Sequence, residues 1–181
     1  NEYDLVVVPD FGNGFLSQSM VDILCDKAKF LAVNTQLNSG NRGYHVINRY
    51  LRADFISLNE PEIRLATHNR HGSLESIMEK VSENIQARWV AVTRGTKGAI
   101  ILDRECNKFF EVPSLSTKVV DRIGAGDTFL SIASLCLKDG LSAEIATFLG
   151  SAAAALSVGK VCNRDPISSA ELSNYITTLL K

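Results

Sequence analysis

The segment DRIGAGDTF, residues 121–129, combines two glycines and two aspartates directly before an apolar stretch. Glycine adopts positive φ at little cost, so Gly124, Ala125 and Gly126 can turn the backbone until successive N–H groups face one point. The apolar residues that follow predict a helix, and the N–H groups and dipole at its N-terminus favour an anion. Asp127 would stand in the first turn of that helix. A carboxylate at the edge of an anion cradle is the arrangement that phosphoryl transfer requires.

The pattern Gly-x-Gly by itself is weak evidence, because glycine pairs also begin buried helices that bind no ligand. Here an aspartate follows the second glycine directly, and the predicted helix is apolar on nearly all sides. A buried helix with an acidic N-terminus at an open loop is unusual without a ligand. We therefore expect residues 124–127 to form a phosphate site.

A second motif, NEPE at residues 59–62, follows a predicted strand. Asn59 can cap a helix while Glu62 returns a hydrogen bond to the cap, and Pro61 fits the first turn. That explanation is sufficient alone. The carboxyl ends of parallel strands are also where α/β proteins bind ligands, so Asn59 and Glu62 can position a hydrated Mg²⁺ there. The two interpretations are compatible.

The segment TRGTKG, residues 93–98, lies between two predicted strands. A glycine-containing hairpin turn explains it without any ligand. Thr93 and the flexible backbone of Gly95 and Gly98 can also approach a nucleotide phosphate, and Lys97 can add charge. Both explanations fit the sequence.

The segment DFGNG, residues 10–14, follows the first predicted strand and would be a simple turn if it stood alone. At a strand end, Asp10 can instead accept hydrogen bonds from substrate hydroxyls, with Gly12 beside it. The histidines have no metal-ligand spacing, and we assign no role to any of the three: His45, His68 and His71.

Composition limits the partners of the chain. Its net charge of −1 gives no reason to expect nucleic acid or an acidic membrane surface. We see no secretory signal and no apolar run long enough to span a bilayer. The cysteines are widely spaced and form no CxxC pair, which favours free thiols in a reducing cytosol and a cytoplasmic location: Cys25, Cys106, Cys136 and Cys162.

Apolar runs alternate with amphipathic stretches, which predicts βαβ units, then a hairpin, then helices. The predicted strands span residues 4–9, 30–34, 54–58, 88–93, 99–103 and 109–112. The predicted helices begin at Ser17 and after Asn59 and span residues 43–51, 73–86, 127–138, 142–158 and 169–180. We expect one α/β domain over residues 1–181. Because the chain begins with Asn1 and reaches a strand within a few residues, we also expect a fragment or processed piece of a longer protein.

Taken in order, the three motifs resemble those of the ribokinase-like (PfkB) carbohydrate kinases: Asn59-x-x-Glu62, Thr93-x-Gly95-x-x-Gly98 and Asp121-x-x-Gly124-Ala-Gly-Asp127. They cover about the last two-thirds of the chain. The opening VVVPDFGNG is similar to a DYGKG-type segment of bacterial heptose-phosphate kinases in that family. The resemblance implies part of a three-layer ribokinase-like fold, namely the C-terminal nucleotide-binding portion, with a mostly parallel sheet and helices on both faces.

The resemblance also implies roles for these residues. Gly124, Ala125 and Gly126 would form an anion hole for the transferred phosphate, and Asp127 would act as base toward a sugar hydroxyl. The implied cofactors are ATP and Mg²⁺, with K⁺ in some members. The other implied contacts are Asn59 and Glu62 with magnesium and phosphate, Thr93, Gly95 and Gly98 with the nucleotide, and Asp121 with a monovalent cation.

Several positions depart from the family pattern. Arg122 stands where a small residue is usual, and Ile132 stands where Ala or Gly is expected. Ser151 replaces a frequent Asn, which weakens any expectation about adenine contacts. Asn13 replaces the lysine of DYGKG, and residues 34–36 read NTQ where heptose-phosphate kinases tend to have Asp-Pro-Lys. The loss of both lysines argues against a phosphorylated sugar substrate.

Three functions remain open at this point. The first is ATP-dependent phosphorylation of a sugar or similar alcohol, with self-association of the chain left open. The second is a truncated or degenerate member that binds a nucleotide or serves in assembly without kinase activity. The third, a Rossmann-type dinucleotide enzyme, is disfavoured because no GxGxxG follows the first strand.

Overall fold

A six-stranded sheet, with the strands side by side in chain order, forms the centre of the computed structural model, which describes residues 2–38, 40–41, 44–116, 119–161 and 166–181. The first four strands are parallel, and the last two run antiparallel to their neighbours. The prediction of a mostly parallel sheet is confirmed. The strands are β1 Val6–Asp10, β2 Leu31–Thr35, β3 Phe55–Asn59, β4 Trp89–Thr93, β5 Ala99–Asp103 and β6 Lys108–Val112.

The inner strands are apolar along nearly their whole length because both faces of the sheet are covered. Successive side chains of a strand point to opposite faces, so β2 contributes to two separate cores. Leu31 and Val33 pack into the core on one face, and Ala32 packs into the core on the other.

The described residues form six α-helices, each of them predicted: α1 Gln18–Lys27, α2 Glu60–Ala66, α3 Leu74–Ile85, α4 Ala125–Lys138, α5 Ala143–Ser157 and α6 Ser169–Leu179. The first three share one core with the sheet. They lie together because crossovers between parallel strands are right-handed, and these strands are added in one direction. The opposite face is covered by α4 and α5, and α6 packs on α5.

Serine residues fix the beginnings of four helices. Each serine hydroxyl accepts a hydrogen bond from the backbone N–H three residues later, which satisfies a donor that the helix leaves unpaired. The predicted cap at Ser17 is confirmed in this way. The other three caps are Ser73, Ser142 and Ser168.

Two local predictions were wrong. Of the short helix expected over residues 43–51, the structure has one 3₁₀ turn, Ile47–Arg49, and residue 43 lies outside the described residues. The helix α4 is not buried on nearly all sides, because Leu135 is 51% exposed and Ser131 also faces outward. A helix that covers a sheet face keeps a solvent side, even where its sequence is mostly apolar. In the parts of the chain that the structure describes, no helix combines the length and the apolar character needed to cross a membrane.

Candidate active site

A cavity of about 750 Å³ opens at the edge of the sheet where the parallel strands end. Its walls come from the ends of β2, β3 and β4, from the segment after β6, from the beginning of α4 and from α5. Carboxyl ends of parallel strands meet at one edge, so motifs far apart in the chain come together there. The predicted site residues that line this cavity are Asn59, Glu62, Thr93, Gly95, Gly98, Gly124, Ala125, Gly126 and Asp127.

The beginning of α4 forms one wall of the cavity and differs from the beginnings of the serine-capped helices. Gly124 precedes it with φ of 79°, a left-handed conformation that favours glycine. No side-chain oxygen caps α4 in the structure as described. The first-turn N–H groups and the positive end of the helix dipole therefore lie at the cavity wall beside an open space, as an anion site requires.

Gly126 lies in the first turn of α4 and lines the cavity. Its φ is not positive, and a Cβ added there would meet no atom within 4 Å. Neither the backbone conformation nor packing within the chain therefore requires glycine at this position. The missing side chain leaves a cradle that a phosphate group can fill.

The structure of the β4–β5 turn gives different roles to the two glycines of TRGTKG. The prediction of a hairpin turn is confirmed, since the backbone N–H of Arg94 donates to the Gly98 carbonyl oxygen at 2.7 Å. A Cβ on Gly98 would lie 2.0 Å from the carbonyl oxygen of Val112, so packing on β6 explains that glycine. A Cβ on Gly95 would meet nothing within 4 Å. Room for a ligand in this turn is thus found at Gly95.

Asn59 and Glu62 form the predicted capping box. Glu62 N–H donates to Asn59 Oδ1 at 2.9 Å, and Asn59 N–H donates to Glu62 Oε2 at 2.8 Å. The N–H of Leu37 donates to Glu62 Oε1 at 3.4 Å. Burial raises the pKa of Glu62, backbone hydrogen bonds oppose this, and the charge of Asp127 raises it further.

No group of three or more acidic, histidine or cysteine side chains that could hold a metal ion occurs among the described residues. Both Glu62 and Asp127 line the cavity, and their carboxylates are close enough for the charge of Asp127 to raise the pKa of Glu62. A site at Asn59 and Glu62 with few direct ligands suits Mg²⁺, which usually keeps several of its waters. The residues present therefore fit a hydrated magnesium ion.

Asp127 stands in the first turn of α4 and is half-buried. Burial raises the pKa of its carboxyl group, whereas a hydrogen bond from Gln36 Nε2 to Asp127 Oδ1, 3.1 Å long, lowers it. A partly desolvated carboxylate is a suitable general base. In the sequence, Gln36 stands out only as a departure from a family pattern, and no motif places it in the site.

Asn34, near the end of β2, is a second cavity residue that sequence reasoning missed. The residue is only 5% exposed, and its Nδ2 donates to the carbonyl oxygen of Ser57 at 2.8 Å. Only the nitrogen of the amide can donate to a carbonyl, so Oδ1 is turned away from Ser57. That oxygen has no hydrogen-bond partner within the described structure. The sequence did contain a signal for Asn34 and Gln36, because two amide residues at alternate positions of a strand end point to the same side of the sheet.

Asp10 and Gly12 do not line this cavity. Asp10 is buried and accepts hydrogen bonds from Tyr50 Oη at 2.8 Å, Arg49 at 3.1 Å and the Gly12 N–H at 3.2 Å. His45, to which no role was assigned, lies 3.2 Å from the same carboxylate. Burial and the Asp10 carboxylate together raise the pKa of Tyr50. This cluster fastens the loops after β1 and β2 to each other.

Asp121 also lies outside the cavity lining. Its carboxylate accepts a hydrogen bond from the N–H of Ile123 at 3.0 Å, and its own N–H donates to the carbonyl oxygen of Val158 at 3.1 Å. The contacts join the loop before α4 to the end of α5. Asp121 therefore shapes the entry to α4 from outside the cavity.

Besides the amides of the NTQ segment, two further departures from the expected pattern line the cavity. Arg122 is exposed at the rim, and Ser151 of α5 has a buried hydroxyl without a hydrogen-bond partner inside the described chain. A guanidinium beside an anion cradle adds positive charge where phosphates would lie. A hydroxyl, which both donates and accepts, can replace some contacts of an amide side chain.

The chain is similar to known proteins in family, in sequence and in structure. Residues 17–170 match the pfkB family of carbohydrate kinases. A bifunctional protein HldE from Histophilus somni is 32% identical over 152 residues, which is 81% of this chain and 30% of that protein. The HldE protein of Magnetococcus marinus is 27% identical over 141 residues, which is 76% of this chain and 28% of that protein.

Solved kinase structures share the fold. A ribokinase from Thermotoga maritima superposes with a TM-score of 0.77 at 20% identity, covering 96% of this chain and 57% of that one. Phosphofructokinase-2 from Escherichia coli, in complex with substrates and products, gives a TM-score of 0.79 at 16% identity, covering 98% and 57%. The expected ribokinase-like fold is confirmed. The chain spans about three-tenths of the curated relatives and a little over half of these solved chains.

Proposed function

Because the chain belongs to the pfkB family of carbohydrate kinases, we propose that it transfers a phosphoryl group from ATP to a hydroxyl group of a sugar or a similar alcohol. One observation carries this proposal. The half-buried carboxylate of Asp127 adjoins the open cradle at Gly126, in one cavity with the NEPE and TRGTKG motifs. This supplies a base and an anion site side by side.

Under this proposal, backbone N–H groups around Gly124 and Gly126 receive the transferred phosphoryl group. They are fixed by the fold before the reaction, so they stabilise the developing charge without reorganising. Gly95 and Thr93 line the same cavity and would approach the remaining phosphates. The positive end of the α4 dipole adds to the same field.

Asp127 orients the attacking alcohol and accepts its proton. The alcohol oxygen forms a bond to the γ-phosphorus while the bond from that phosphorus to the β,γ-bridging oxygen breaks, and ADP leaves. The proton moves to Asp127 late, because an alcohol is far less acidic than a carboxylic acid. Burial of Asp127 raises its pKa and so strengthens it as a base.

Glu62 and Asn59 are the residues that would hold a magnesium ion, through its water ligands. Bound Mg²⁺ would neutralise phosphate charge during transfer. Asp121 would influence a monovalent cation such as K⁺ from outside the cavity, and the phosphofructokinase-2 of Escherichia coli has been solved in complex with potassium. Asp10 and Gly12 remain proposed substrate contacts.

The NTQ segment and Asn13 favour an acceptor without a phosphate group. Within the described lining, Arg94 and Arg122 are the cationic side chains. Asn34 and Gln36, which stand where heptose-phosphate kinases tend to have charged residues, present neutral amides. A phosphorylated sugar would need further positive charge at the acceptor end. Unphosphorylated sugars and polyols are therefore the proposed substrate class.

The experiment is a panel assay joined to calorimetry. ADP formation is measured with Mg²⁺ and ATP over unphosphorylated and phosphorylated sugars, and ATP binding is measured by titration calorimetry. We expect ATP to bind and at least one unphosphorylated sugar to raise ADP formation above the sugar-free rate. ATP binding without transfer to any sugar would refute the kinase and support the second function, a nucleotide-binding or assembly module. The departures at Arg122 and Ile132 favour that alternative.

Location and assembly belong to the same proposal. Cys25, Cys106 and Cys136 are free thiols, and Cys162 lies outside the described residues, which supports a reducing cytosol. The net charge of −1 supports a small-molecule partner rather than nucleic acid. Strand β1 forms an edge of the sheet with Phe15 exposed nearby, and such an edge supports self-association. Light scattering after gel filtration would measure the oligomeric state.

A further inference from the structure

We propose that Gln36 is a positioning residue, whose side-chain amide holds the carboxylate of Asp127 in the orientation that meets the acceptor alcohol. This inference rests on the proposed function, because Asp127 is the base only if the chain transfers a phosphoryl group. It assigns to β2 a part in the chemistry that none of the three motifs contains.

The contact joins residues that are 91 positions apart in the chain. Gln36 Nε2 donates to Asp127 Oδ1 at 3.1 Å in a part-buried environment. Hydrogen bonds to a charged acceptor are stronger than those between neutral groups. A carboxylate with one oxygen held by an amide has its second oxygen, Oδ2, left to face the alcohol.

The backbone of Gln36 is fixed by the sheet, which keeps its side chain aimed at α4. Its N–H donates to the carbonyl oxygen of Asp10 at 3.0 Å, which continues the pairing of β1 and β2 by one residue. Asn34 and Gln36 both line the cavity, as alternate residues of an extended segment share one side. The positioning amide therefore stands on the sheet rather than on a free loop.

A second observation points to a ligand at the same strand end. The Oδ1 atom of Asn34 is buried and without a hydrogen-bond partner among the residues described, although buried polar atoms are nearly always paired. A group that can donate a hydrogen bond would satisfy it. An alcohol held against Asp127 offers such a donor through a neighbouring hydroxyl group, so the end of β2 suits a polyhydroxylated acceptor.

The charged side chains around Asp127 do not offset the effect of burial on its carboxylate, which leaves Gln36 as the group that does. Besides Asp127, the titratable side chains of the described cavity lining are Glu60 and Glu62 of α2, Arg94 of the β4–β5 turn and Arg122 before α4. Glu62 interacts with Asp127 as a like charge. Helix α5 adds no titratable side chain to this lining.

The test uses two substitutions at one position. Gln36→Met keeps the length of the side chain and removes the donor, whereas Gln36→Lys restores a donor and adds positive charge. For Gln36→Met we expect kcat to fall by about 10- to 100-fold, the size of a lost hydrogen bond to a charged group, while KM for ATP changes by less than about threefold. For Gln36→Lys we expect kcat to exceed that of Gln36→Met.

A second readout needs no activity. The carboxyl carbon of Asp127, followed by NMR in the unliganded protein, gives its pKa directly. Gln36→Met should raise that pKa and Gln36→Lys should lower it relative to the parent protein. Gln18→Met is the matched control, since Gln18 also donates to an aspartate, Asp22, at 2.9 Å but stands on α1 outside the cavity. It should leave the pKa of Asp127 and kcat unchanged.

The outcomes separate this inference from the proposed function. If both Gln36 variants leave the pKa of Asp127 unchanged, the contact does not form and the inference is overturned. If the pKa shifts occur and kcat of Gln36→Met equals that of the parent, Gln36 touches Asp127 without positioning it, which also overturns the inference. If the parent protein transfers no phosphoryl group to any sugar while the pKa shifts occur, the proposed function has failed and the contact is supported.

Discussion

The change Gly126→Ala should stabilise the protein and impair it. A Cβ at this position meets no atom within 4 Å, and the backbone φ is not in the left-handed region, so alanine fits without strain. Alanine in a helix is more stable than glycine by about 0.5–1 kcal/mol. For a chain of this size that corresponds to a rise in melting temperature of about 1–4 °C.

The same methyl group would stand in the phosphate cradle. Because the N–H groups of the first turn must lie close to the phosphoryl group, a carbon atom in that space should weaken the transition state more than the free protein. We expect kcat/KM for ATP to fall by at least about tenfold, which is about 1.4 kcal/mol. Stability is measured by thermal unfolding followed by circular dichroism, and activity by ADP formation.

The matched control is Gly98→Ala. There a Cβ would lie 2.0 Å from the Val112 carbonyl oxygen, and φ is +81°, so the substitution should lower the melting temperature. The left-handed conformation alone costs alanine about 1–2 kcal/mol, before the clash is counted. A Gly126→Ala protein that melts below the parent, or that keeps full kcat/KM, would refute the cradle.

Three further predictions follow from the cavity and its surroundings. Burial raises the pKa of Asp127, and the base acts only when it is ionised. We therefore expect kcat/KM to rise with pH through a pKa above the ordinary value of 3.8. A profile that is flat down to pH 4 would contradict this. Arg122→Ala should weaken ATP binding by about three- to tenfold at low salt, and by less at high salt, because salt screens an exposed charge. Calorimetry at two ionic strengths measures the two losses of affinity. Tyr50→Phe should lower the free energy of unfolding by about 1.5–3 kcal/mol in urea titrations, because the buried Asp10 carboxylate loses a hydrogen bond, and an unchanged midpoint would show that the cluster does not stabilise the fold.

Much of the architecture could be predicted from the chain because it depends on local patterns. The capping box at Asn59 and Glu62 is an example, since its donors and acceptors lie within three residues of each other. The assembly of the motifs in one cavity also follows from sequence, because each motif comes after a strand and parallel strands end at one edge. Gly124 was expected at a turn that needs positive φ, and its φ is 79°.

The rest depends on side chains that meet across long stretches of chain. Gln36 meets Asp127 across 91 positions, and Asp10 meets Tyr50 across 40. No periodicity or spacing encodes such pairs, since they result from how sheet and helices pack. The sequence also could not show why Gly98 and Gly126 are glycines, because the reason lies in their surroundings. Gly98 is packed against β6, and Gly126 faces empty space.

The proposed role of Asp127 is that of the base in a phosphoryl transfer in this cavity. Its most direct test is the substitution Asp127→Asn, assayed with ATP, Mg²⁺ and the best sugar acceptor, with Asp139→Asn at the exposed far end of α4 as the control. We predict that kcat falls by about 10²- to 10⁴-fold while the affinity for ATP, measured by calorimetry, changes by less than about threefold. A variant that turns over as fast as the parent protein would show that Asp127 is not the base.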